Sequence, residues 1–122
     1  YLSHDEVFKN QLTSQVLLLS INNVPAAKGI ITGKVFEYLQ AKRPILAIAP
    51  IDGDLAAILN ETKAGKVINF DDEFSLKSVI EIYYQKYQQN NLQVASSNYQ
   101  KYHRKNLTQQ LSELIKICVN SK

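Results

Sequence analysis

The stretch GKVFEYLQAKRPILAIAPIDGDLAAIL, residues 33–59, changes its hydrophobic period twice. Val35, Phe36 and Leu39 fall on one stripe of a helix spanning 34–42. Residues 45–49, ILAIA, are then continuously apolar, which is how a parallel strand buried on both faces reads. Pro50 and Asp52 mark a turn, GDLAAILNET (53–62) returns to helical patterning, and Gly65 supplies a turn after that helix ends. Helix, buried strand, helix is the repeating unit of an α/β domain with a parallel sheet.

Working outward, VLLLSI (16–21) and KVINF (66–70) are two more nearly continuous apolar runs and read as strands. The chain opens with a helix over 3–14, announced by a capping box of Ser3 and Glu6, with Val7, Phe8 and Leu12 on one face. A helix over 75–89 is expected to bury Leu76, Val79, Ile80, Tyr83 and Tyr87. QNNLQVASSN (89–98) reads as a loop. A closing helix over 97–119 carries Leu107, Leu111, Leu114, Ile115 and Cys118 on one stripe, with Asn106 as a cap for its second part and Cys118 as buried packing. The expected architecture is α/β, with strands 16–21, 45–49 and 66–70 parallel and adjacent in that order. The right-handed crossover rule puts the start of the Lys34 helix at their C-terminal edge. Residues 1–122 form a single partial domain, of which 91–122 is the closing helical segment. Three strands are few for such a domain, and a chain that opens on a helix implies a half-repeat upstream.

Bulk properties narrow the function classes. With 122 residues and 45% hydrophobic content the chain has the size and composition of one globular domain. Fourteen Lys and Arg against 11 Asp and Glu are too slight a surplus to make nucleic acid the expected partner. One cysteine permits neither an intrachain disulfide nor a cysteine zinc site, which favours a reducing, cytoplasmic setting. The apolar runs fall well short of the roughly 20 residues of a membrane span. Methionine is absent even at position 1, so the chain reads as a piece of a longer protein.

Residues 29–34, GIITGK, invite comparison with a phosphate loop. A Walker-type loop needs four residues between its glycines and a Ser or Thr after the lysine. Three residues separate Gly29 from Gly33, and Val35 holds the hydroxyl position. What remains is a pair of glycines before a helix whose free amides and positive dipole end suit an anion. Lys34 opposes that dipole, a conflict that a bound diphosphate would remove. Two readings stand: a diphosphate site, or a solvated Lys34 paired with Glu37 at i, i+3. Glu37 likewise is either a sugar-hydroxyl acceptor one turn into the helix or an ordinary first-turn glutamate.

These residues carry a resemblance. The run from Gly33 to Leu59 resembles the signature of the C-terminal, donor-binding domain of GT-B glycosyltransferases, in particular glycosyltransferase family 4. Lys34, Glu37, Tyr38, Leu39 and Pro44 stand in a Lys-x-x-Glu-Tyr-Leu pattern followed by a proline and a buried strand. The likeness extends from about residue 4 to the end of the chain. It implies a Rossmann-like domain facing a second, acceptor-binding domain, with residues 16–21 as the fourth strand of a 3-2-1-4-5-6 order. It implies a nucleotide-diphosphate sugar as substrate, a hexose-type sugar passed to a glycan or lipid acceptor, and no metal or other cofactor. Gly29, Thr32, Gly33 and Lys34 would face the diphosphate and Glu37 the ribose hydroxyls. Gly29 stands where the family often has a first glutamate, so a backbone amide is expected there instead. The catalytic residue is unassigned, and these residues alone are expected to be inactive without the acceptor domain.

The other chemistry-bearing residues read as structure. Asp52 and Asp54 suit a turn and a helix cap, Asp71, Asp72 and Glu73 a helix start, and His4 and His103 lack a second ligand at metal spacing. KYHRK (101–105) is either a solvated helix face or a contact to an anionic membrane surface, so the cytoplasmic setting extends to the inner face of a membrane. The rival class is a non-catalytic nucleotide-binding or receiver-like regulatory module, although 16–21 and 45–49 end without the acids that a receiver needs. Finally, 16–21 is uncharged and apolar, and as an open edge it is expected to pair with a second copy.

Overall fold

The computed structural model describes residues 1–94 and 96–121. Helix α1 (His4–Thr13) starts at Ser3, whose side chain accepts from the Glu6 amide while the Glu6 carboxylate accepts from the Ser3 amide. This is the capping box expected from the sequence. Strand β1 (Leu17–Ser20) leads through a 3-10 turn, Ala27–Gly29, to α2 (Lys34–Ala41). There follow β2 (Ile45–Ile48), α3 (Asp54–Thr62), β3 (Gly65–Ile68), α4 (Glu73–Gln88), a second 3-10 turn at Tyr99–Tyr102, and α5 (Arg104–Asn120).

The three strands form one parallel sheet in the order β1-β2-β3, as the apolar runs predict. Leu17 pairs with Ile45, and Ile45 with Gly65. Two successive right-handed crossovers in one direction place α2 and α3 on the same face of the sheet. There Leu19, Ile45 and Ala47 meet Val35, Leu39, Leu55, Ile58 and Leu59 in the core. Helix α2 runs back from the C-terminal edge of β1 to the start of β2, which puts its N-terminus at that edge.

β3 begins at Gly65, ahead of the run 66–70. Close approach explains why glycine stands there: a Cβ at Gly65 would lie 1.9 Å from the Ile45 carbonyl oxygen. Both α2 and α3 end on lysines in the left-handed region, Lys42 (φ 53°) and Lys63 (φ 51°).

Five expectations are corrected. None of the residues of α4 is buried, and Ile80 is 50% exposed, because α4 covers only part of the second face of the sheet. On that same face Leu18 stands 59% exposed beside an apolar groove lined by Val16, Leu46, Ile80, Tyr83, Tyr84 and Tyr87. In α1 the buried residue is Gln11, while Val7 and Leu12 face outward, since α1 leans on α2 and not on the sheet. The closing helix is interrupted: Asn98 is left-handed (φ 59°), Tyr99–Tyr102 form a 3-10 turn, and α5 starts only at Arg104. Asn106 therefore lies inside α5 and does not cap it; its amide donates back to the Gln100 carbonyl (2.6 Å). Finally, α5 buries none of its residues, so Cys118 is exposed and not packed.

Candidate functional site

Gly33 is the N-cap of α2, at φ −58° and ψ −27°, and no side chain caps the helix. Val35 donates to the Thr32 carbonyl (3.2 Å) and Phe36 to that of Gly33 (3.2 Å), tightening the first turn. The amides of Gly33 and Lys34 find no acceptor among the described residues. The Thr32 hydroxyl oxygen is buried and also has no hydrogen-bond partner there. Leaving a buried hydroxyl unpaired costs about 1–3 kcal/mol. Three donors within three consecutive residues thus gather at the positive end of a helix dipole.

A methyl group at Gly33 or at Gly29 would meet nothing within 4 Å, so packing does not require glycine at either position. Open space next to free amides lets a ligand approach the backbone closely. The Gly29 amide, in contrast, is already committed to the Ala26 carbonyl (3.1 Å). The expected contribution of a Gly29 amide therefore gives way to that of Gly33 and Lys34.

Lys34 is exposed at the start of α2. Among the described residues it forms no ion pair, so the i, i+3 pairing with Glu37 is not the arrangement found. Glu37 is half-buried and turns toward α1, where Gln11 Nε2 lies 3.4 Å from its Oε2. That contact is long, and Gln11 Oε1 is left buried without a partner. Gln11 was not legible as a site neighbour, because a polar residue on a helix face carries no signal until another helix packs on it.

The loop before α2 is fixed from the far side. Lys28 pairs with Asp52 at 2.5 Å, and this hydrogen bond holds the Asp52 carboxyl below its ordinary range. Gly53 lies against the Lys28 backbone, with a notional Cβ 2.9 Å from its carbonyl oxygen. Asp52 thus anchors the loop, and Gly53, not an aspartate, caps α3. Lys101 and Tyr102 both donate to Glu61; the Lys101 bond is the larger cause of the lowered Glu61 carboxyl, and burial raises the Tyr102 hydroxyl. This tethers the second 3-10 turn to α3.

Between α2 and the start of α5 a cleft of about 640 Å³ opens, with Gly33, Glu37 and Gln40 on one wall and His103, Arg104 and Lys105 on the other. The KYHRK run therefore reaches the rim of the candidate site, a juxtaposition that the sequence did not reveal. Among the described residues no group of three or more His, Cys, Asp or Glu is placed to hold a metal ion. β1 and β2 end at Ser20 and Ile48, and neither end presents an acid. The chain matches no protein-family model, no curated protein and no solved structure.

Proposed function

We propose that this chain is the donor-binding part of a glycosyltransferase, with the diphosphate of a nucleotide sugar at the N-terminus of α2 and the ribose hydroxyls at Glu37. The observation that carries the reading is the set of unpaired donors at Thr32, Gly33 and Lys34, next to a lysine that no carboxylate neutralises. An anion satisfies the two free amides and the lysine at once. Glu37, one turn further on and half-buried, is spaced to accept from a sugar further along the same ligand.

In the transfer, the anomeric carbon of the sugar loses its bond to the diphosphate oxygen and gains one to the oxygen of an acceptor hydroxyl, whose proton passes to the departing diphosphate or to solvent. The departing oxygen keeps the electron pair. The Lys34 ammonium and the free amides face the charge that builds there, which is where fixed donors accelerate a reaction most. That cationic and dipolar set does the work a divalent ion does elsewhere. The acceptor, a glycan or lipid, would be held by a second domain, and the reaction belongs in the cytoplasm, where nucleotide sugars are substrates.

Calorimetric titration of UDP and GDP into the intact protein, with magnesium and with chelator, tests this. One nucleoside diphosphate is expected to bind under both conditions, and Lys34→Ala to weaken it by about 1.5–3 kcal/mol, as for a charge-assisted hydrogen bond. Glu37→Gln should affect the nucleoside end, shown by a smaller loss for inorganic diphosphate than for GDP or UDP. Equal affinity in the Lys34 variant would return that residue to the solvated surface. Binding without sugar transfer by the intact protein would favour the non-catalytic nucleotide-binding module.

A further inference from the structure

The face of the sheet opposite α2 and α3 carries a groove of about 360 Å³ between the sheet and α4. Val16 and Leu46 line it from the sheet side, and Ile80, Tyr83, Tyr84 and Tyr87 line it from α4 at helical spacing. Such a volume with an apolar, aromatic lining is that of a small-molecule pocket. Ile80 stays 50% and Tyr84 59% exposed, so the chain itself leaves this wall open. A second cavity of about 250 Å³ adjoins the groove at the start of β3, and Tyr83 and Leu92 line both. Lys63, Lys66 and Lys86 line this second cavity, with Asn60 and Gln93 as further polar groups.

Charge decides what fits. Among the described residues, none of the three lysines forms an ion pair, and no Asp or Glu lines either cavity. Glu61, on α3, is taken up by Lys101 and Tyr102. On α4, at about 100° per residue, Lys86 stands on the Tyr83 flank and Glu81 on the opposite flank, past Tyr84. Lys63 and Lys86 end α3 and α4, where the helix dipole by itself favours a cation. Lys66 lies within β3 and has no such role, and three like charges round one cavity repel until an anion enters it. A purely apolar partner would fill the groove and leave the lysines unanswered. We propose that the chain binds a small amphiphile with an anionic headgroup, its apolar chain along Ile80, Tyr84 and Tyr87 and its carboxylate or phosphate among Lys63, Lys66 and Lys86. The proposal is independent of the α2 site, which lies at the other, C-terminal edge of the sheet.

Amide chemical-shift titration of the nitrogen-15-labelled 122-residue chain tests it, with decyl phosphate, decanoate, decanol and inorganic phosphate as probes, each below the concentration at which it forms micelles. Decyl phosphate or decanoate is expected to saturate at one molecule per chain, shifting Leu46, Gly65, Lys66 and Tyr84, and to bind about tenfold or more above decanol and inorganic phosphate. The tighter of the two anions identifies the headgroup. Shortening its chain by two methylenes should weaken binding about tenfold, as for apolar surface withdrawn from the groove. Lys66→Gln with Lys86→Gln should lower the affinity for that anion about tenfold or more and leave decanol binding unchanged. Ile80→Gln with Tyr84→Gln should abolish binding of every chain-bearing probe at an unchanged melting temperature, because both side chains stand outside the core. Equal affinity for decanol and the two anions, shifts confined to other residues, or no binding would overturn the proposal. So would a concentration-dependent dimer in light scattering that Ile80→Gln with Tyr84→Gln abolishes, because the groove would then belong to a second copy.

Discussion

A methyl group at Gly33 would project into open space, and φ −58° is a backbone angle that alanine adopts freely. At Gly65 the same methyl would fall 1.9 Å from the Ile45 carbonyl oxygen. The two glycines are therefore expected to separate stability from binding. Gly33→Ala should leave the fold unchanged or raise its stability by about 0.4–1 kcal/mol, while reducing diphosphate affinity by crowding the free amides. Gly65→Ala should destabilise by more than about 2 kcal/mol, because backbone at β2 would have to move. Urea unfolding and nucleotide titration of both variants provide the comparison; a Gly33→Ala protein that binds as tightly as the parent would remove the backbone from the site. The sequence placed Gly33, Lys34 and Glu37 correctly at the first turn of a helix, because glycine before an apolar period is a local signal. That Glu37 turns to Gln11 and leaves Lys34 unpaired depends on how α1 leans on α2, and no local pattern encodes it.

Among the elements, β1 has a bonded side and an open side. Leu17 and Ile21 donate to the Pro44 and Ile48 carbonyls of the neighbouring chain segment. The alternate residue, Leu18, turns its backbone outward, where its carbonyl accepts from the Tyr38 hydroxyl at 3.3 Å. Tyr38 covers one acceptor of an otherwise uncharged edge, and edges of that kind recruit another strand. The 122-residue chain is expected to self-associate through 16–21, seen as a mass that rises with concentration in light scattering, with slow amide exchange at Leu18 and Ser20 only in the associated form. A monomer at every concentration would mean that Tyr38 and α1 close the edge by themselves. The strands were the most legible elements, since short continuous apolar runs admit few alternatives once helices flank them. The break before α5 was hidden because it rests on one left-handed asparagine, Asn98, inside a pattern that otherwise stays amphipathic. The helical periods of α4 and α5 were read correctly, but periodicity gives the face of a helix and not what lies opposite.

Taken whole, the molecule is a three-stranded parallel sheet whose two faces are covered unequally. One face of the sheet is closed by α2 and α3, the other is covered only in part by α4, and α5 stands apart from the core. Transfer also needs an acceptor held in a site closed to water, which the proposed reading assigns to a second domain. The 122 residues are accordingly expected to give no product when incubated with a panel of nucleotide sugars and glycan or lipid acceptors, and turnover would show that the acceptor site is already present. Diphosphate binding, in contrast, is proposed to rest on the free donors at the start of α2. Amide chemical-shift mapping of the nitrogen-15-labelled chain during titration with GDP and UDP addresses that claim directly. Shifts should centre on Gly33, Lys34 and Val35, extend to Glu37, and disappear in Lys34→Ala. Saturation with no change at these amides, or with changes gathered elsewhere such as Arg104 and Lys105 alone, would contradict a diphosphate site at the start of α2.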